Sequence, residues 1–239
     1  MKQLIKFLIN QVGLLHFLQN LKALADKDRA PVYKMSFPTY EAELTLTQSQ
    51  AGDYFRYATI ALAIRRIQAE GVWGQFAEAG VYKGNTSRFI HQLAPERTCL
   101  LFDTFSGFPK QDLEQDMIED NRFNDTSLEE IQKNMGNLEN IIIIKGYIPD
   151  TFIGLEDERF AFVHLDLDLY NPTINSLHYF YPRLTNGGYL VIHDYNSRIA
   201  NQACKRAVDE FMQDKPERIV EIPDRWGTIL FRKLSPNPQ

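Results

Sequence analysis

The sequence predicts an α/β fold built on a doubly wound, mostly parallel sheet. Several short apolar runs rich in β-branched residues lack polar alternation, as strands buried on both faces do. These runs alternate with segments of helical periodicity, which implies right-handed crossover connections. The last two strand-like runs are joined only by residues 223–227, too short for a parallel crossover, so we expect that pair to be antiparallel.

Composition narrows the class of protein further. A chain of 239 residues with 44% hydrophobic and 24% charged residues is a globular domain with a small appendage, not a disordered chain. A net charge of −5 argues against a broad nucleic-acid-binding surface. Cys99 and Cys204 stand in no metal-binding or disulfide pattern, so we expect a cytoplasmic protein.

The first 50 residues are predicted to be a helical extension, and residues 51–239 the main domain. Residues 1–25 carry leucines at helical spacing but are too often interrupted by polar residues to span a membrane. We expect this helix to pack on the domain or on a second subunit, giving a homo-oligomer. A lid over the substrate and an interfacial membrane helix are the alternatives.

The remaining elements follow in order. Residues 26–50 are polar and turn-rich, which indicates a connection, and a helix follows until Gly71. The predicted strands are residues 75–81, 98–103, 140–145, 160–166, 189–193, 218–222 and 228–232. The predicted helices are residues 86–93, 127–135, 173–184 and 203–214. Thr126 or Ser127 caps the second of these helices, and Asn186-Gly187-Gly188 ends the third.

The residues after the first two strands predict a nucleoside site. Gly80 allows a sharp turn, and Gly84 precedes a helix whose free amides attract negative groups. Asp103 ends the second strand about twenty residues beyond the glycines, where a carboxylate commonly holds ribose hydroxyls. Because no strict dinucleotide fingerprint is present, S-adenosylmethionine (SAM) is favoured over NAD. Glu78, unusual in a buried strand, is a candidate ligand contact.

The residues after the fourth and fifth strands predict a cation site. Neighbouring strands bring Asp166 and Asp194 within reach of one ion, and His193 adds a nitrogen ligand. These groups suit a hard divalent ion such as Mg²⁺ or Mn²⁺, although the two carboxylates could simply cap the helices that follow. Asp168 lies two residues further on and could face the same opening.

Four segments in this order resemble the macrocin O-methyltransferase family, which includes sugar O-methyltransferases of macrolide biosynthesis and the novobiocin methyltransferase. They are Gln75–Gly84, Leu101–Pro109, His164–Tyr170 and Gly187–Tyr195. The resemblance covers about residues 50–232. It implies a class I methyltransferase fold with a seven-stranded sheet and metal-assisted methyl transfer from SAM to a hydroxyl.

The resemblance also assigns roles to residues. Asp166 would bind the metal, Asp168 would act as general base, and an acidic pair would complete the metal site. In this chain that pair reads His193-Asp194, a departure that implies weaker metal binding, a softer ion, or His193 as the base. The cofactor contacts implied are Glu78, Gly80, Gly84, Thr86 and Asp103.

Together these features predict a SAM-dependent O-methyltransferase that methylates a hydroxyl of a sugar, glycoside or phenolic small molecule. A metal-independent enzyme with His193 as base, a non-catalytic SAM- or adenosine-binding module, and an NAD-linked oxidoreductase are the alternatives. The acceptor is not encoded in any motif. The acidic segment 110–125 is interpreted as a solvated loop, with a substrate-facing flap as the alternative.

Overall fold

The computed structural model describes residues 33–37, 42–116, 122–136 and 139–234. The chain divides into two compact units, residues 1–52 and 53–239. In the first unit β1 (Tyr33–Phe37) and β2 (Ala42–Leu46) form an antiparallel hairpin, and α1 (Gln48–Ala51) follows. The interpretation of residues 26–50 as a turn-rich connection did not include this hairpin, because its two strands are only five residues long. The helix predicted for residues 1–25 lies outside the described residues.

The second unit contains a seven-stranded sheet in the order β5-β4-β3-β6-β7-β9-β8. Its strands are β3 (Gln75–Ala79), β4 (Cys99–Asp103), β5 (Ile141–Lys145), β6 (Phe160–Leu165), β7 (Leu184–Ile192), β8 (Val220–Glu221) and β9 (Ile229–Arg232). Strands β3 to β7 pair in parallel, whereas β9 runs antiparallel to both β7 and β8. The predicted doubly wound sheet with an antiparallel last pair is confirmed.

Helices connect these strands. They are α2 (Tyr54–Ala69), α3 (Asn85–Leu93), α4 (Lys110–Gln115), α5 (Leu128–Met135), α6 (Tyr170–Phe180) and α7 (Ala203–Met212). Of the two proposed caps of α5, Ser127 is the one that caps it, since its hydroxyl accepts a hydrogen bond from the Glu130 amide. Within the described ranges, no helix has both the length and the apolar character needed to cross a bilayer.

One predicted boundary is wrong. Helix α6 ends at Phe180, and β7 begins at Leu184 and runs through Gly187 and Gly188. The pairing of β6 with β7 shifts register between Phe160 and Phe162, and a side chain on Gly188 would meet the Ala161 carbonyl oxygen at 2.9 Å. The glycines therefore accommodate a bulge in the sheet instead of ending a helix.

The strand order reverses direction beside β3, the position where open α/β sheets bind ligands. Gly80 follows β3 with φ +88°, and a Cβ at this position would overlap the carbonyl oxygen of Asp166, which follows β6. Two backbone hydrogen bonds fix this approach: Gly80 donates to Phe102 and Asp166 donates to Ala79, each at 2.9 Å. The first residues beyond β3 and β6 thus form the floor of a crevice at the carboxyl ends of the strands.

Candidate active site

The glycine turn after β3 is held by the carboxylate at the end of β4. Oδ2 of Asp103 accepts hydrogen bonds from the backbone amides of Val81 (2.7 Å) and Tyr82 (2.9 Å). Its Oδ1 accepts one from the Phe105 amide at 2.7 Å. Asp103, which is predicted to bind the ribose, therefore also ties the loops after β3 and β4 together. A carboxylate has about four acceptor positions, so Asp103 retains capacity for a ligand hydroxyl.

Two of the expected cofactor contacts have partners inside the protein. Glu78 is only 1% exposed, and its carboxylate accepts a hydrogen bond from the Ser87 hydroxyl and pairs with Nδ1 of His164 at 3.1 Å. The hydroxyls of Thr86 and Tyr57 share a hydrogen bond of 3.0 Å. Glu78 and Thr86 therefore fasten the start of α3 to β6 and α2, beneath the glycine turn.

An aromatic wall, formed by Tyr82, Phe108 and Phe123, flanks the glycine turn. The ring centroids of Tyr82 and Phe123 are 4.9 Å apart, and those of Phe108 and Phe123 are 5.3 Å apart. Lys83 pairs with Asp125 at 2.6 Å on the same side. Tyr82 and Phe108 lie in two of the segments that carry the family resemblance, but the sequence does not show that they meet Phe123, because the three residues come from separate loops.

The structure brings Asp166, His193 and Asp194 together at the carboxyl ends of β6 and β7. One ligand atom from each lies within 4.8 Å of the others. Nδ1 of His193 shares a hydrogen bond of 3.0 Å with the Thr228 hydroxyl. Asp194 (φ 61°) and Asp168 (φ 58°) adopt left-handed backbone conformations, which non-glycine residues rarely do and which occur preferentially at functional sites.

Burial and the close approach of charged groups shift the pKa values of Asp166, His193 and Asp194. Burial and the charges of Asp166 and Asp168 raise the pKa of Asp194 well above its usual range. Burial also lowers the pKa of His193, so the imidazole is neutral near pH 7. For Asp166 burial acts to raise the pKa, but the cationic forms of His193 and Arg56 outweigh it and the pKa is lowered. Because His193 is neutral near pH 7, the guanidinium of Arg56 and the hydrogen bond from Asp194 hold the pKa of Asp166 down there.

Asp168, the predicted base, lies at the same opening with its side chain 11% exposed. The guanidinium of Arg122 is 4.0 Å from its carboxylate. The charge of Asp168 also contributes to the raised pKa of Asp194, so the two side chains are electrostatically coupled.

Three charged residues of the cluster were not anticipated from the sequence. Arg56, in the first turn of α2, contacts Oδ2 of Asp53 and Oδ2 of Asp166, each at 2.8 Å. Asp224, in the β8–β9 loop, forms with Asp53 and His193 a second group whose ligand atoms lie within 4.8 Å of one another. Carboxylate-rich turns and spacings could have identified Asp53 and Asp224 as candidates, but nothing in the pattern marks Arg56.

Residues 110–116 of the acidic segment do not form the solvated loop that we expected, and residues 117–121 lie outside the described residues. Asp112 is fully buried and accepts hydrogen bonds from the Tyr147 hydroxyl and the Asn171 amide, both at 2.9 Å. Asp116 accepts hydrogen bonds from Arg206 at 2.6 Å and from the Tyr170 backbone amide at 2.9 Å. These carboxylates fasten the segment to helices α6 and α7.

The sheet order, the glycine turn beside β3 and the polar cluster after β6 and β7 define a class I SAM-dependent O-methyltransferase. The family profile of macrocin O-methyltransferases (TylF) matches residues 44–233. The chain belongs to that family, and the predicted resemblance is confirmed.

Two O-methyltransferases with known substrates and one solved O-methyltransferase structure are similar to this chain. Mycinamicin III 3''-O-methyltransferase from Micromonospora griseorubida is 32% identical over 183 residues, which are 68% of this chain and 70% of the relative. A Streptomyces olivaceus 4'-O-methyltransferase acting on a rhamnosyl tetracenomycin is 30% identical over 172 residues, 65% of this chain and 64% of the relative. The solved structure of the O-methyltransferase NovP matches with a TM-score of 0.64 at 24% identity, covering 75% of this chain and 80% of that one, and it supports the fold.

Proposed function

We propose that the protein transfers the methyl group of SAM to a hydroxyl on the sugar of a glycosylated small molecule. The observation that carries this proposal is the Asp166–His193–Asp194 cluster, which follows β6 and β7 beside the glycine turn, where a Cβ on Gly80 would overlap the carbonyl oxygen of Asp166. Relatives that methylate sugar hydroxyls of mycinamicin and tetracenomycin support the acceptor class. The demethyldecarbamoylnovobiocin O-methyltransferase from Streptomyces niveus, 26% identical over 195 residues, is a further O-methyltransferase relative.

For the cofactor, we propose that Gly80 and Gly84 let SAM approach the backbone closely and that Asp103 binds the ribose hydroxyls. The free amides at the start of α3 would attract the carboxylate of the methionyl group. Glu78 and Thr86 would act indirectly, because their hydrogen bonds to Ser87, His164 and Tyr57 hold the turn in place.

The proposed reaction is an in-line displacement at the methyl carbon. The acceptor oxygen forms a bond to that carbon while the carbon–sulfur bond breaks, and S-adenosylhomocysteine leaves. The hydroxyl proton passes to Asp168, because a sugar hydroxyl is almost fully protonated near pH 7. A positioned base of this kind typically contributes about 10²–10⁴-fold to the rate.

The residues present fit a divalent ion. Asp166, His193 and Asp194 offer two carboxylates and one imidazole, and a dication would offset both the burial and the repulsion by Asp166 and Asp168 that raise the pKa of Asp194. When bound, the ion would act as a Lewis acid that lowers the pKa of the acceptor hydroxyl. The imidazole favours Mn²⁺ or another transition ion over Mg²⁺, which prefers oxygen ligands. In a metal-independent enzyme the neutral His193 would be the base.

The test combines one variant with metal removal. Asp168→Asn should lower kcat about 10²–10⁴-fold while SAM affinity, measured by isothermal titration, stays unchanged. Chelation by EDTA should abolish activity and Mn²⁺ should restore it. A wild-type rate in Asp168→Asn would refute the base assignment, and full activity in EDTA would favour His193 as base. A wild-type protein that binds NADH but not SAM would refute the proposed function.

A further inference from the structure

We propose that Arg56 is a built-in cation of the active site that shares Asp166 with the divalent ion, so that the guanidinium and the ion compete for one carboxylate. This inference rests on the proposed metal site and assigns a positioning role to a residue outside the ligand set. It implies that part of the positive charge needed at Asp166 is supplied by the chain itself.

The geometry fixes Arg56 between two carboxylates. Nη1 lies 2.8 Å from Oδ2 of Asp166, at the end of β6, and Nε lies 2.8 Å from Oδ2 of Asp53, just before α2. The guanidinium also lies 5.2 Å from the ring centroid of Tyr57. Only 13% of the Arg56 side chain is exposed, so solvent screens these contacts weakly.

The charge of the surroundings makes this contact consequential. Asp166 and Asp194 belong with His193 to a group whose ligand atoms lie within 4.8 Å of one another, and Asp168 lies two residues beyond Asp166. One guanidinium, shared with Asp53, therefore neutralises only part of the negative charge. The cluster can still bind an ion, but one oxygen of Asp166 is already engaged by a fixed positive charge that repels a dication.

Two opposite effects follow when Arg56 is removed. The divalent ion gains access to both oxygens of Asp166 and loses a repulsive neighbour, so its affinity rises. Without the ion, Asp166 loses the hydrogen-bond donor that orients its carboxylate, so catalysis becomes more dependent on added metal. A residue that merely stabilised the fold would produce neither effect.

The test is titration of Mn²⁺ into the full-length protein by isothermal calorimetry. Arg56→Gln should bind Mn²⁺ about tenfold more tightly than the wild type, whereas Arg56→Lys, which keeps the charge, should stay near the wild type. Arg66→Gln is the matched control, because Arg66 lies on the same helix in an exposed pair with Glu70 at 3.7 Å. Its Mn²⁺ affinity should not change.

Other outcomes decide against the proposal. Equal or weaker Mn²⁺ binding by Arg56→Gln refutes the competition, as does the absence of Mn²⁺ binding in both the wild type and this variant. If circular dichroism shows that Arg56→Gln is unfolded, Asp53→Asn replaces it: Arg56 then has one carboxylate instead of two, and Mn²⁺ should bind less tightly. Unchanged or tighter binding by Asp53→Asn would refute the proposal.

A parallel titration with SAM separates this inference from the proposed function. All folded variants should bind SAM like the wild type, because Arg56 pairs with Asp53 and Asp166, neither of which is among the residues proposed to bind SAM. If the wild type itself fails to bind SAM, the proposed function is wrong, whatever Mn²⁺ does.

Discussion

Replacing Gly80 by alanine tests how closely the two halves of the sheet must approach. The residue has φ +88°, and a Cβ would overlap the carbonyl oxygen of Asp166. Holding an L-residue in this backbone region costs about 1–3 kcal/mol. Forcing an extra carbon against backbone that the paired strands hold in place costs about 1–3 kcal/mol more. We therefore expect Gly80→Ala to lower the free energy of unfolding by about 2–6 kcal/mol, a large share of the 5–15 kcal/mol typical of a domain.

Gly84→Ala provides the matched control. Gly84 also has a left-handed φ of +77°, but a Cβ there would make only ordinary contact, 3.5 Å from the sulfur of Met135. Gly84→Ala should therefore lose only the free energy needed to hold alanine in a left-handed backbone conformation, with no added cost from a steric overlap. In thermal unfolding followed by circular dichroism, Gly80→Ala should melt roughly 5–20 °C below the wild type and clearly below Gly84→Ala. Equal melting temperatures for the two variants would refute the overlap with Asp166 as the reason for glycine at position 80.

Two further predictions concern the acidic segment and the N-terminal residues. Asp112→Ala removes the two hydrogen bonds of a buried carboxylate and should lower the free energy of unfolding in urea by about 1–3 kcal/mol. Glu114→Ala, at an exposed position, should change this free energy little. Equal effects of the two substitutions would contradict the anchoring role of Asp112. We also expect deletion of residues 1–25 to convert a homo-oligomer into a monomer in light scattering, because the leucine-rich face of that segment would pack on a second subunit. An unchanged mass, or a monomeric wild type, would contradict this expectation.

The positions of the strands along the chain and the polar residues at their ends could be predicted because the signals are local. Each buried strand is a short apolar run, and the turn after it begins with the polar residue that matters, as with Asp103, Asp166 and Asp194. The resemblance to one family rested on these same strand ends. The strand predictions are confirmed where the apolar runs coincide with strands buried in the sheet.

The errors arose where tertiary contacts override local pattern. Gly187 and Gly188 have the appearance of a helix stop, yet their function is to fit a bulge against β6. Asp53 and Arg56 stand at the spacing of an ordinary surface ion pair on a helix. Only the fold reveals that Arg56 reaches Asp166, which is 110 residues away in the sequence. Periodicity cannot report such a contact.

The threefold use of the Asp103 carboxylate has a consequence for redesigning cofactor choice. In many α/β enzymes the acidic residue at this strand end is exchanged to change which nucleotide is accepted. Here the same oxygens receive the amides of Val81, Tyr82 and Phe105, so the two loops are already ordered before any ligand arrives. The loss of conformational entropy that accompanies ordering of these two loops therefore occurs during folding and not during binding. A substitution of Asp103 would loosen both loops as well as remove the proposed contact to the ribose, so altered selectivity would require new supports for both loops.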